Sequence, residues 1–419
     1  MDCQAYIMKR IFVSLDYQYY VKKRVSRSIP SLGVLKRTLS ITDSEITQFY
    51  ALLENGKAYR KVVGTFKSSG GERLVYDPDP LVRKIQRMIN SRIFNPKKPK
   101  EGLILWPTYL YGSVPNTFYL NEGKLELQSR DYISCAKTHC LRKSVLKVDI
   151  SDFYENIHRE DVFNIFKNVL KYKDDVSSIL ADFCTYEDKI PQGGLTSSFI
   201  ASAALFDVEP KLVQRLHKKK LNYTRLVDDI TVSSFQSNYD FSLAISLIKE
   251  MLLKKNLPIN EDKLIISNHS NSATLVHGLR VNFKEPRLPE NEISKIRASV
   301  RGLERLAECS AYRVSRDYRK SHAMCMGRIN RMQRIGHNKA KQLLVRVLKI
   351  LPLPSHKDII TCNKLVYRLE KNHPNDKYKY SYKRIYNLAH FELNILQRTF
   401  KAQAKSLRNR LREVKPGEI

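Results

Sequence analysis

The chain has 419 residues, enough for a large core and more than one domain. It is 42% hydrophobic and 28% charged, which excludes a disordered chain, and no apolar run reaches the ~18 residues that a membrane span needs. The net charge of +32 is far beyond what solubility requires and points to a polyanionic partner, most often nucleic acid. The charge is uneven: residues 291–419 hold 30 Lys and Arg against 10 Asp and Glu. The seven cysteines form no Cys-x-x-Cys pair, which argues against a zinc ribbon. Their odd number, with no secretory leader, leads to the expectation of a reducing cytoplasm. Cys135, His139 and Cys140 cluster in sequence without a second cluster to complete a site, and read as buried or incidental.

Residues 1–50 mix aromatic and basic side chains before a helix opening at Thr42, where Thr42 and Glu45 have capping-box spacing. From Tyr59 the chain alternates into Lys67, then Gly70-Gly71 and Arg73, a hairpin signal in which glycines supply positive φ. A helix is predicted over Leu81 to Ile89, with Arg83, Lys84 and Arg87 turned toward a template or only toward water. Val145 to Ile150 is a β-type run that delivers Asp149 near its end, and Tyr154 follows. Pro191-Gln192-Gly193-Gly194 precedes a predicted single long helix of apolar and small residues, Leu195 to about Leu216. Glycines before a helix start let backbone N–H groups approach a ligand closely.

Tyr223 to Val232 reads as two short strands with Asp228-Asp229 at a tight turn. Two fixed acids on a β-prone ribbon are costly unless a cation neutralises them. Mg²⁺ fits, being commonly held by one or two carboxylates plus substrate phosphates. Taken alone, the pair also suits an ordinary Asp-rich turn. A strand bringing Asp149 beside the hairpin would place carboxylates from two elements around a metal pair, the arrangement that clamps both oxygens of an in-line phosphoryl transfer.

Further on, Ile293 to Leu306 is an amphipathic helix carrying Lys295, Arg297, Arg301 and Arg305, and Gly327 opens a second basic stretch with Arg328, Arg331 and Arg334. Leu351-Pro-Leu-Pro354 breaks the helical pattern. The remainder is helical and basic, with Lys405 and Arg408 near its end. Its tyrosines (Tyr378, Tyr380, Tyr382, Tyr386) either stack bases or form a packing face.

In chain order, Asp149-Ile150 with Phe153-Tyr154, Pro191-Gln192-Gly193, Leu226-Val227-Asp228-Asp229, Asn260-x-x-Lys263 and Gly278-Leu279-x-Val-Asn282 resemble the palm motifs of reverse transcriptases. The resemblance is to bacterial retron-type enzymes: retron polymerases, group II intron maturases and defence-associated reverse transcriptases. It implies an α+β fold, a right-hand polymerase. Its parts would be an N-terminal extension (1–50), fingers (51–145), palm with primer grip (146–285), helical thumb (286–354) and basic helical C-terminal extension (355–419).

The resemblance implies cDNA synthesis from dNTPs with two Mg²⁺ ions, Mn²⁺ being the alternative, held at Asp149, Ile150, Asp228 and Asp229. Asp228 is the more direct ligand and Asp229 an electrostatic support. Lys263 matches a lysine proposed to protonate the pyrophosphate leaving group, or is a surface lysine. Lys67 and Arg73 match basic residues that grip the incoming triphosphate. Tyr154 matches an aromatic gate that would clash with a 2′-hydroxyl, or is a core aromatic. Gln192 matches a residue that contacts the incoming nucleotide. His277, Gly278 and Leu279 fall on the primer grip. Arg301, Arg328, Arg331, Arg334, Lys405 and Arg408 suit the backbone of an RNA–DNA duplex, read by shape and charge.

Several positions depart from the family pattern: Tyr111 where His precedes Gly112, Cys135 where Asn is usual, Phe199 where Pro is usual, Leu226 where an aromatic is usual, and His277 where Thr precedes Gly278. The implied setting is antiphage defence, with a structured non-coding RNA as template and primer, no membrane, and a protein partner or second copy left open. A retron polymerase making multicopy single-stranded DNA is the next reading. A maturase-like RNA-binding protein with a silent site is the alternative from another class, and the intact acids argue against it.

Overall fold

Short apolar runs between Tyr59 and Asn268 assemble into one five-stranded sheet, with a two-stranded hairpin at Tyr59–Pro78 among several small ladders. The computed structural model describes residues 19–23, 28–64, 73–95, 103–121, 124–268 and 273–417. The chain divides into two units, Met1–Pro286 and Arg287–Ile419. In the first, β1 (Tyr59–Val62) pairs antiparallel with β2 (Val75–Pro78). Five further strands follow: β3 (Leu110–Tyr111), β4 (Ser144–Ile150), β5 (Asn222–Leu226), β6 (Asp229–Ser234) and β7 (Ile259–Asn268). They form one sheet in the order β7-β4-β6-β5-β3, antiparallel except where β3 meets β5.

The centre of this sheet is dry because β4 is apolar on both faces. Val145, Leu146, Val148 and Ile150 are all at most 2% exposed. The two edges are blunted differently. β3 is only two residues long, and β7 carries a bulge between Asn260 and Ile265.

Two helices of this unit start where a side chain caps them. Thr42 and Glu45 exchange the expected capping-box bonds, both at 3.2 Å, at the head of α1 (Asp43–Glu54). Asp79 accepts from the Leu81 N–H at 2.8 Å at the head of α2 (Pro80–Ile89), which buries Val82, Ile85 and Ile89. Arg83 is ion-paired with Asp77 and Lys84 with Glu45, so both of these cations are engaged within the protein.

The long helix expected from Leu195 to about Leu216 is instead two, α3 (Ser197–Ala203) and α4 (Glu209–Lys218). Pro210 is the physical reason: it sits in the first turn of α4, where its missing N–H costs nothing, whereas inside a continuous helix it would break a bond and clash.

The second unit is helical. α5 (Glu290–Glu308) buries Ile293, Ile296, Val300 and Leu303, and α6 (Arg316–Arg334) buries Tyr318, Cys325, Ile329 and Met332. The basic stretch expected to open at Gly327 therefore lies inside a helix that starts at Arg316, capped by Ser315. After α7 (Ala340–Lys349) and the Pro-containing break, Ser355 and Asp358 form a capping box that starts α8 (His356–Asp376). Asp358 also accepts two bonds from Arg319, at 3.1 and 2.5 Å, which tie α6 to the start of α8. α8, α9 (Tyr380–Leu396) and α10 (Lys401–Glu413) share a small core that includes Cys362, Val366, Leu393 and Leu407. No described helix is long and apolar enough to cross a membrane.

One buried ion pair joins α3, α4 and the β5–β6 hairpin. Arg225 is 0% exposed and Glu209 1%. The guanidinium donates to both Glu209 oxygens at 2.6 and 2.8 Å, to the carbonyls of Ala201 and Ser202 at 3.3 and 2.9 Å, and to the Val227 carbonyl at 2.8 Å. That satisfies all five of its donors, the condition under which a buried cation is tolerable. Tyr223 donates to the same carboxylate at 2.8 Å. Removing the negative partner alone should cost about 3–5 kcal/mol, because it strands a buried charge. We therefore expect E209Q to shift urea unfolding of the intact chain by that amount. A shift below about 1 kcal/mol would show that the pair is not a structural anchor.

Candidate active site

The β5–β6 hairpin pairs Leu226 with Asp229, so its turn is Val227-Asp228. Val227 has φ +60°, a left-handed conformation that a β-branched residue adopts only under constraint, at about 1–3 kcal/mol. The constraints are visible. Arg225 holds the Val227 carbonyl, and the Ile150 N–H donates to the Asp228 carbonyl at 3.1 Å. Gly112, at φ +90°, lies against the turn so closely that a Cβ there would stand 3.1 Å from Leu226 Cδ1 and 3.2 Å from Val227 Cγ2.

The same register sets Asp229 opposite Asp149, and Asp149 opposite Asn260. Asp149, Asp228 and Asp229 thus meet at one end of the sheet. Burial pushes the Asp228 carboxyl above the usual carboxylate range; Asp229 and Asp149 add to the shift, while a backbone hydrogen bond and Lys263 oppose it. The bulge in β7 aims Lys263 inward, and its Nζ donates to Asp149 Oδ2 at 2.8 Å. That hydrogen bond is the main reason the Lys263 amine is raised above its ordinary pKa. Asn260 Nδ2 is 3.4 Å from the same oxygen.

Among the described residues, no three side chains of metal-ligating type converge on one point, and Lys263 is the cation that balances Asp149. The donor set nevertheless fits a hard, oxygen-seeking ion: carboxylates from two strands, one of them half-buried, with cationic charge already drawn to them. The Ile150 side chain lies in the core, so any part that residue takes goes through its carbonyl oxygen.

Around this end stand the residues expected to handle the nucleotide. Lys67 lies outside the described residues. Arg73 is close enough to bear electrostatically on the Tyr154 hydroxyl. Tyr154 is mostly buried, and its hydroxyl is 3.2 Å from Ser198 Oγ. Asp152, at φ +43°, turns the chain between β4 and this ring. The Gln192 carbonyl accepts from the Tyr76 N–H at 2.7 Å. Gly193 is obligatory there: its φ is +108°, and a Cβ would collide with the Tyr76 carbonyl oxygen. The Pro191–Gly194 loop is therefore docked on β2.

A second hairpin, β8 (Leu275–Val276) with β9 (Leu279–Arg280), turns through His277-Gly278 at φ +47° and +73°, a type I′ geometry. Gly278 is exposed, whereas the Leu279 side chain is fully buried and faces the core. The His277 side chain is only 6% exposed, and its Nδ1 lies 3.4 Å from Asp229 Oδ2. Its Nε2 is 3.2 Å from Cys135 Sγ, which is 3.3 Å from Thr224 Oγ1. Thr224 is 2.7 Å from His139 Nε2, and His139 Nδ1 is 2.7 Å from Ser233 Oγ. Burial pushes His139 down to about 3 and Cys135 up to about 12, so both are neutral.

Cys135 and His139 are thus part of a connected polar network, not incidental. Two of the positions that depart from the family pattern, Cys135 and His277, touch each other. The five-residue Cys135-to-His139 landmark was the only sequence signal of this network.

In the second unit, Arg301, Arg328 and Arg334 are exposed, and Arg331 is half-exposed at 3.9 Å from Glu292. Lys405 and Arg408 line a groove of about 490 Å³ with Gln397, Lys401, Asn409 and Arg412. Arg408 donates to Asn394 at 2.7 Å, and none of these four cations has a carboxylate partner among the described residues.

Comparison with known proteins agrees with this geometry. Residues 66–279 match the family of reverse transcriptases (RNA-dependent DNA polymerases). The chain is 41% identical over 391 residues to the retron Ec48 reverse transcriptase of Escherichia coli, covering 93% of each chain. It is 32% identical over 327 residues to the retron Se72 reverse transcriptase of Salmonella heidelberg (strain 579083-10), covering 77% of this chain and 78% of that one. Among solved structures, telomerase from Candida albicans with a fragment of telomeric RNA aligns over 66% of this chain and 51% of that chain, at 12% identity and a TM-score of 0.31, too loose a fit to carry weight. By family match and near-full-length similarity, this α+β chain belongs to the bacterial retron-type reverse transcriptases, which are RNA-directed DNA polymerases.

Proposed function

We propose that the enzyme copies a structured non-coding RNA, which also supplies the primer, into cDNA at the end of the β4–β6 ladder. The observation that carries this reading is the strand register that sets Asp229 against Asp149 with Asp228 in the adjoining turn. Asp149, Asp228 and the Ile150 carbonyl would hold two Mg²⁺ ions, or Mn²⁺, with Asp229 as electrostatic support. Bound there, such ions supply activation of the attacking hydroxyl and neutralisation of the leaving oxygen.

The other residues then have separate tasks. Lys263 holds a proton at Nζ at the edge of the acid cluster, available to the leaving pyrophosphate. Tyr154 sits under the sugar and rejects a 2′-hydroxyl. Arg73, with Lys67, neutralises the triphosphate. Gln192 is positioned for the nucleotide by its docked loop, and the turn at His277-Gly278 with buried Leu279 steadies the primer strand. Arg301, Arg328, Arg331, Arg334, Lys405 and Arg408 bind nucleic-acid backbone. Similarity to retron enzymes over 93% of the chain favours the retron form of this reading, with multicopy single-stranded DNA as product. We place that activity in the cytoplasm and in antiphage defence, as the family resemblance implies.

The direct test is to purify the protein with its bound nucleic acid, sequence it, and add labelled dNTPs with Mg²⁺. A discrete RNA extended or copied into DNA is expected. D228A/D229A should lower synthesis by at least about 10²–10³-fold while RNA affinity persists. Bound RNA without incorporation under any primer or metal would instead identify a silent RNA-binding protein. Y154A should reduce the preference for dNTPs over rNTPs by up to about 10²-fold, and an unchanged preference would remove the gate assignment.

Asp228 offers a readout independent of turnover. Its folded-state pKa is raised, so the folded chain binds the proton more tightly than the unfolded chain. The stability this confers is present at low pH and is lost as pH rises through the folded pKa. At neutral pH the ionised carboxylate is therefore a liability. D228N should melt higher than the wild type without metal, and Mg²⁺ should raise the melting temperature of the wild type but not of D228N. A lower melting temperature for D228N, or equal responses to Mg²⁺, would contradict the assignment.

For the second unit, K405A/R408A should weaken RNA binding and make the slope of log K against log salt shallower by about 0.7–0.9 per lost phosphate contact. An unchanged slope would place these cations outside the interface.

A further inference from the structure

We propose that His277 is a positioning residue for the polymerase reaction: it orients the Asp229 carboxylate through Nδ1 and is itself fixed through Nε2 by Cys135. The proposal rests on the reading of Asp149, Asp228 and Asp229 as the catalytic acids.

The first support is the burial of a turn residue. The tip of a two-residue hairpin ordinarily points to solvent, yet the His277 side chain is 6% exposed. Its backbone is left-handed at φ +47°, a region that His, Asn and Asp tolerate better than most residues, and Gly278 completes the turn. A polar ring buried in this way is costly unless its nitrogens are used. Nε2 has Cys135 Sγ at 3.2 Å, and Nδ1 faces Asp229 Oδ2 at an ion-pair distance of 3.4 Å. The Asp229 contact is long for a hydrogen bond, as contacts in catalytic sites without substrate often are.

The second support is what stands behind Cys135. Thr224, His139 and Ser233 continue the chain of short contacts, and all three are buried. Thr224 belongs to β5 and Ser233 to β6, the same two strands whose turn carries the acids. Asp229, Thr231 and Ser233 share one face of β6, and Thr224 is opposite Thr231. The network is therefore anchored along the face from which Asp229 projects.

Cys135 Sγ donates to Thr224 Oγ1, so the contacts run from the His277 ring through Cys135 to the strand beneath the acids. The order Cys, His, Asp also occurs in nucleophilic sites, but Cys135 is 0% exposed, so no substrate meets its sulfur. What the geometry does allow is mechanical: the turn expected to steady the primer and the acid beside the metals share one side chain.

The test uses the full-length protein with its bound RNA and compares H277N, H277Q and H277G. An Asn amide falls where Nδ1 stands and suits the left-handed backbone, whereas a Gln amide falls where Nε2 stands. H277G and H277Q should lower kcat by about 10–100-fold and weaken Mn²⁺ binding, read by electron paramagnetic resonance, by a similar factor. The KM for dNTP should move by less than about threefold, and H277N should recover most of the loss. If H277G does not fold, as judged by melting, the H277N and H277Q pair decides.

Equal behaviour of H277N and H277Q would overturn the proposal. So would a folded H277G with unchanged kcat and Mn²⁺ affinity, or a loss confined to the KM for primer–template. D229A separates this proposal from the reading beneath it. If D229A polymerises normally, the assignment of the acids fails. If D229A is inactive and the His277 variants are silent, only the role of His277 fails.

Discussion

The candidate site depends on a turn that would not hold its shape alone. Val227 is β-branched and left-handed, and the adjacent Asp228 is pushed toward its neutral form by burial. Both are unfavourable, so the surroundings must over-determine them. Arg225 does most of this. It is one residue before Leu226 in β5, fully buried, and its guanidinium reaches the Val227 carbonyl, the carbonyls at the end of α3 and the Glu209 carboxylate together. A lysine there would offer a point charge with three mobile donors and could not satisfy so many acceptors in fixed directions. Ala201 and Ser202 lie in the last turn of α3, where carbonyls run short of N–H partners, so the same side chain that braces the turn also helps cap the helix.

A second consequence concerns charge. Three carboxylates brought to one sheet end repel one another, and the cations within reach are limited. Lys263 reaches Asp149 only because β7 bulges between Asn260 and Ile265. His277 approaches Asp229 only because its hairpin turns through two left-handed residues. In both cases a local backbone irregularity re-aims a side chain that a regular strand would have turned elsewhere. Gly193 is the same device with another purpose, since only a residue without a Cβ lets the Gln192 loop lie on the Tyr76 carbonyl.

These irregularities mark the limit of what the sequence discloses. Asp149 and the Asp228–Asp229 pair were legible because each sits in or beside a short β-prone apolar run that becomes β4, β5 or β6. The capping box at Thr42 is equally local. By contrast, the helix predicted from Leu195 to Leu216 failed because its apolar and small-residue pattern runs on past Pro210, which can only stand in the first turn of a new helix. Cys135 and His139 read as buried or incidental; both are buried, but their network was not legible because their partners, Thr224, Ser233 and His277, lie 85 to 142 residues further on. Burial can convert a histidine from a surface cation into a neutral strut, and no window of sequence reports it. Lys263 was legible only through family resemblance, since the bulge that gives it reach has no periodic signature.

The two units divide the electrostatic task. A cation beside Asp149 competes with any metal for the carboxylate, so excess positive charge is unwelcome on the elements that carry the acids. Residues 291–419, with 30 basic and 10 acidic residues, supply no acid to that cluster and are under no such restriction. Their acids are largely used to brace helices: Glu304 with Arg346, Asp358 with Arg319 and Glu370 with Arg410. What is left over on α10 is Lys401, Lys405, Arg408 and Arg412, without carboxylate partners among the described residues, on a helix that also packs through Ala404, Leu407 and Leu411. Such a surface gains affinity for any phosphate backbone through counterion release and reads little sequence. Selectivity for one nucleic acid over another must then come from elsewhere, because a surplus of charge alone cannot provide it.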